Sequence, residues 1–210
     1  MAASTFARCC ALTLRHEGGW SDHPADPGGA TNLGVTIGTL SSWLGRRATK
    51  DEVRALTKES VALVYRKNYR DAIRGDELPA GPDYCAYDFA VNSGPKRGAV
   101  ALQRPLGVAD DGVIGSVTPS ALATVPVETL IRAIFNDRMA FLQRLSTWST
   151  FGKGWSARVN SVLAEALATA RLAPVPTPPV KVEPPPAPSP VAIAIDSIDP
   201  KAAPRVAQPN

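Results

Sequence analysis

Glu17 and Asp26 are the residues whose type and spacing first suggest chemistry. They lie in RHEGGWSDHPADPGGATNLGVT, residues 15–36, a polar stretch with five glycines that follows a short apolar segment. Glu17 falls where helical spacing (Phe6, Cys10, Leu14 and Cys9, Thr13, Glu17) runs into Gly18 and Gly19. A helix C-terminus favours cations, so a carboxylate there is a poor anion. Against an apolar surface its pKa should rise further. That setting suits a general acid, which must hold a proton near neutral pH and deliver it to a leaving oxygen. Position alone is better suited to a solvated glutamate on a frayed turn. Glycoside hydrolysis needs a second carboxylate, ionised and polar in its surroundings. Asp26 is nine residues on, in a DPGG turn whose backbone N–H groups can keep it anionic. It also reads simply as a turn residue before proline. Asp22 is the rival second carboxylate. Thr31, Asn32 and Thr36 follow and can orient a water or sugar hydroxyls.

Other residues carry weaker signals. Asp88 and Asn92 are four apart on one helical segment and can line a cleft opposite the hairpin. Trp20 suits either a sugar face or the core, while Trp43, Trp148 and Trp155 read as packing. His16 and His23 with Asp22 or Asp26 raise a rival reading, a zinc-dependent cell-wall peptidase. No H-E-x-x-H spacing exists and a third strong ligand is not evident. A third reading is a non-catalytic wall-binding module or secretion accessory. DDGVIGSVT, residues 110–118, has too few alternating oxygens for a calcium loop.

The elements that must position these residues are mostly helical. A first helix is expected over 4–17, then a small irregular β-hairpin within 21–37. TLSSWLG reads as a short helix, and TKDE (49–52) as a capping box opening another. Thr57 caps a longer helix ending near Ile73. GPDYCAYDFAVNSG gives a helix through Asn92 with Gly94 as stop, and Pro95 opens the next. Two longer helices are expected over 127–146 and 154–172. The fold class is therefore mainly α, a helical domain with one small β-hairpin near its N-terminus.

Composition limits the alternatives. From Pro174 onward, 12 of 37 residues are proline, and such a segment buries too little apolar surface to offset chain entropy. It reads as a disordered or polyproline II tail. Its charges cancel, so the net +4 lies in the rest of the chain. No basic block with interleaved aromatics points to nucleic acid. Cys9, Cys10 and Cys85 form neither a disulfide framework nor a zinc spacing and read as buried apolar residues. No basic segment followed by an apolar run marks a signal peptide, and no run reaches the ~18 apolar residues of a membrane helix. Action outside the cytoplasm would then need release by a holin or a secretion machine.

HEGGWSDHPADPGGATNLGVT, with YDFAVNSGPKRGAVALQ some sixty residues on, closely resembles the signature of glycoside hydrolase family 108. These are lysozyme-like N-acetylmuramidases of phage endolysins and bacterial secretion-activator proteins. The likeness spans about residues 4–171. VNSGPKRGAVALQRPLGVADDGVIG through FGKGWSARV is similar to the peptidoglycan-binding half that accompanies the family. It implies a lysozyme-like region at 1–94, a helical peptidoglycan-binding half at 95–172 and a separate tail at 173–210. It implies hydrolysis of the β-1,4 bond between N-acetylmuramic acid and N-acetylglucosamine, with Glu17 as the family's catalytic glutamate. Tailed-phage lysozymes carry Glu, eight residues, Asp, five residues, Thr. Here eight residues separate Glu17 from Asp26 but only four separate Asp26 from Thr31, and Asn32 stands at the matching step. The expectation is a monomer acting on peptidoglycan glycan strands, without cofactor, metal, nucleic acid or membrane insertion. Glu17, Asp26 and Thr31 are the candidate catalytic residues; Trp20, Asn32, Thr36, Asp88 and Asn92 are the candidate substrate contacts. An inverting mechanism is expected, with carboxyls more than ~6.5 Å apart.

Overall fold

The computed structural model describes residues 5–23, 28–115 and 121–172. Among these are eight α-helices and one two-stranded antiparallel sheet. The helices are α1 (Phe6–Thr13), α2 (Ile37–Leu44), α3 (Lys50–Arg54), α4 (Lys58–Tyr65), α5 (Pro82–Ser93), α6 (Pro95–Gln103), α7 (Val127–Gln143) and α8 (Trp148–Leu172). The strands β1 (Thr31–Asn32) and β2 (Val35–Thr36) pair Thr31 with Thr36 and Asn32 with Val35. None of the described helices is long and apolar enough to cross a membrane. The Pro-rich segment lies outside the described residues.

Helix α5 is the hub. It packs against α6, α7 and α8 and also meets α1. Every residue from Pro82 to Ala90 is buried, as expected of a helix covered on all sides. Two aspartates on it are fully buried, and each is paid for by arginine. Asp83 takes hydrogen bonds from Arg70 at 3.0 Å, from the Thr5 hydroxyl at 2.6 Å and from the Gly81 backbone N–H. Asp88 takes them from Thr13, Arg138 and Arg158. Against α6 the contact is between backbones. A Cβ at Gly98 would fall 2.6 Å from the Ala86 carbonyl, so only glycine lets the helices meet. One continuous apolar core runs from Phe6 to Ala166, so residues on both sides of position 94 share it.

Local chemistry explains several boundaries. Thr49 and Glu52 make a reciprocal capping box at the start of α3, and Thr57 with Ser60 does the same for α4. Gly45, with φ of 66°, ends α2. Helix α4 continues into a π-helical turn, Arg66–Arg70. Helix α8 begins at Trp148, six residues before its expected start, and the rings of Trp148 and Trp155 meet tilted, with centroids 6.2 Å apart. The first helix differs from expectation: it stops at Thr13, not at residue 17. Its last hydroxyl is anchored to Asp88, and the chain then leaves through two tight turns, Arg15 N–H to Leu12 and His16 N–H to Thr13. Gly18 and Gly19 do not cap it; Leu14 does, in ordinary helical conformation.

Candidate active site

The ending of α1 places Glu17 in an irregular bend, with its side chain 19 % exposed. The surroundings are not the apolar wall expected from sequence. Arg158 Nη2 lies 3.0 Å from Glu17 Oε1. On the other side, Oε2 faces the hairpin turn. A Cβ at Gly34 would lie 2.9 Å from Oε2 and would fall on the Tyr65 hydroxyl. Glycine is required there twice over, because φ is also 75°. Leu33, the first turn residue, has φ of 50°, so both turn residues adopt the positive φ of a two-residue I′-type hairpin. A leucine there costs on the order of 1–2 kcal/mol. The cost is offset by packing on the core and by the Tyr65 hydroxyl, which donates to the Leu33 carbonyl at 3.0 Å. Burial, and next the charge of Glu17, push the Tyr65 phenol up; the same two causes act on Tyr69, whose ring sits 5.4 Å from that of Tyr65. Both phenols therefore stay neutral beside the glutamate.

Arg158 connects this bend to the buried hub. Its Nε and Nη2 fork onto Asp88 at 3.0 and 2.9 Å, while Arg138 reaches the same carboxylate at 2.7 Å and Thr13 at 2.9 Å. Burial alone would raise the Asp88 pKa, but Arg138 and Arg158 outweigh it and hold the carboxyl down at about 2. The result is a relay of fixed geometry: α1 ends on Asp88, Asp88 orients Arg158, and Arg158 grips Glu17.

The remaining candidates are distributed as follows. Asp26 lies outside the described residues. Ser21 and Thr31 exchange two backbone hydrogen bonds of 2.8 Å. Asp22 is paired with Lys50 at 2.9 Å. Thr31 is half-buried, and its hydroxyl donates to the Gly29 carbonyl. The Asn32 amide is buried and donates to the carbonyls of Val53 and Arg54 at 3.2 and 3.0 Å, satisfying orphan groups at the end of α3. Thr36 caps α2 through the Thr39 N–H. Trp20 is half-buried, under the Arg54 guanidinium at 4.5 Å. Asp88 is fully buried rather than lining a cleft, and Asn92, exposed at the end of α5, accepts a hydrogen bond from the Ser93 hydroxyl. The structure thus brings together Glu17, Gly34, Tyr65 and Arg158, and the sequence reading had found only the first. Among the described residues, no three His, Cys, Asp or Glu side chains gather as a metal-ligand cluster.

Glu17 is thus a carboxyl held between a partly buried arginine and a hairpin turn, on a helical core. The glycosyl hydrolase 108 model matches residues 10–94. The structure of SagA from Brucella abortus is similar at 48% sequence identity, with a TM-score of 0.73, covering 81% of this chain and 98% of that one. This chain belongs to the glycosyl hydrolase 108 family; it is a glycoside hydrolase, and its substrate is a glycan. No curated protein matches it.

Proposed function

We propose that this enzyme is a muramidase that cleaves the β-1,4 bond between N-acetylmuramic acid and N-acetylglucosamine in peptidoglycan, with Glu17 as the proton donor. One observation carries the reading: Glu17 keeps partial access to solvent while Arg158 fixes one oxygen and the Gly34 turn faces the other. Such a group is positioned before the substrate arrives, which is where much of a catalytic group's advantage lies. When Glu17 gives its proton to the glycosidic oxygen, the carboxylate left behind has its counter-charge in place at Arg158. Asp26 is the second carboxylate in this reading, either activating a water or steadying the oxocarbenium-like transition state. With a water between the two groups the anomeric centre inverts.

The test is loss of turbidity of purified sacculi, wild type against Glu17→Gln. The amide keeps the shape of the side chain and lacks the proton to deliver, so the rate should fall by about 10²- to 10⁴-fold. Digestion should release reducing ends and no new amino termini. Undiminished digestion by the Gln variant would refute the assignment.

A further inference from the structure

The two elements that enclose Glu17 both run on into a groove that the catalytic reading does not use. The hairpin continues directly into α2, whose outer side presents Thr39, Ser42 and Trp43. Tyr65 is followed at once by the π-helical turn, which presents Lys67 and Asn68. These five residues line a groove of about 450 Å³, within the size range of small-molecule sites. Trp43 was expected to pack inside; instead it is 42 % exposed. Leaving so large an apolar face in water is unfavourable, and its neighbours are polar. The amine of Lys67 and the amide of Asn68 carry no ion pair or hydrogen bond to any described residue. An exposed indole beside free donors and hydroxyls offers one apolar face and several hydrogen-bonding edges, which matches a pyranose ring with its flat C–H face and its ring of hydroxyls. Chain continuity ties the groove to the site: Thr36 of the hairpin is the N-cap of the helix that carries Trp43, and Tyr65 precedes Lys67 by two residues.

We infer that this groove is a distal glycan subsite, in which Trp43 stacks on a sugar ring of the strand being cut and Lys67 and Asn68 hold its polar edge. This rests on the glycan-cleaving reading above and names where the strand continues beyond the reacting bond. The Lys67 ammonium adds a preference for strands that carry carboxylates, such as lactyl groups freed of their peptides.

The test uses the full chain carrying Glu17→Gln, which binds without turnover, and peptide-free glycan strands as the probe, titrated by calorimetry. Adding Trp43→Ala should weaken binding about tenfold, and Trp43→Phe, which restores an aromatic face, should recover most of it. Thermal melts of all three proteins establish that they are folded. Lys67→Ala should cost more on these strands than on carboxylate-free chitin oligomers. Equal affinity with and without Trp43, or no measurable binding to the strands, would overturn the inference. So would self-association that Trp43→Ala abolishes in the absence of glycan, because the face would then join two copies. Trp43-dependent binding together with a wild-type protein that digests no sacculi would leave the subsite standing and remove the muramidase reading alone.

Discussion

Two carboxylates in this protein touch the same arginine, and they are treated in opposite ways. Asp88 is fully buried, accepts from two arginines and a threonine, and is held ionised far into acid. Glu17 meets Arg158 through one oxygen, while the other looks past Gly34 toward the hairpin. The buried knot has every lone pair occupied and no access to a ligand. In the bend, Oε2 of Glu17 accepts no hydrogen bond from a described residue, and one side is partly open. Rigidity in the first region makes precision available in the second, and Arg158 is the part they share.

The largest expected effect comes from the knot. Asp88→Ala takes the anion from buried Arg138 and leaves Arg158 only Glu17, and should cost about 3–5 kcal/mol of stability, read by denaturant unfolding. The same region sets an acid limit. The folded pKa of Asp88, about 2, lies below its ordinary value of 3.8. Its stabilisation is therefore complete above that ordinary value and disappears as the pH falls through about 2. Thermal melts across that window should show a wild-type loss that the Asp88→Ala variant lacks.

Arg158→Lys sharpens the comparison, because it touches both regions. Lysine keeps the charge but cannot fork onto Asp88 and reach Glu17 together. Stability should fall by about 1.5–3 kcal/mol, the worth of hydrogen bonds to charged groups, and sacculus digestion by roughly ten- to hundredfold through misplacement of Glu17. A variant that lost stability with full activity would separate the two regions. A smaller effect is expected at Asn32→Ala, which strips the amide from the α3 carbonyls and should cost about 1–3 kcal/mol. Thr49→Ala, at a solvent-exposed cap, should cost only about 1 kcal/mol.

Much of the helical framework was readable from local signals. The Thr49–Glu52 box, the Thr57 cap, Gly45 and the Gly94–Pro95 junction are contacts within a few residues, and they work without help from the rest of the chain. The end of α1 was not readable, because Leu14 to Glu17 still suit a helix and the break is set by Thr13 binding Asp88, 75 residues away. Asn32 and Thr36 have the right chemistry for sugar hydroxyls, but the same chemistry serves helix ends, and spacing cannot tell the uses apart. Arg138 did leave a trace. Leu130, Ile134, Arg138 and Leu142 recur every four residues on the inner side of α7, so an arginine interrupts an apolar row and must find a buried anion. Arg158 sits beside Val159 and four before Val162 on α8, a fainter version of the same interruption.

The 108 family match ends at residue 94, yet the guanidinium that steadies Glu17 comes from the closing helix. The two stretches of chain therefore meet at Glu17. A recombination that exchanged everything after residue 94 would strip α5 of the helices that cover it and leave Asp88 and Glu17 without their guanidinium, unless the incoming sequence brought both back.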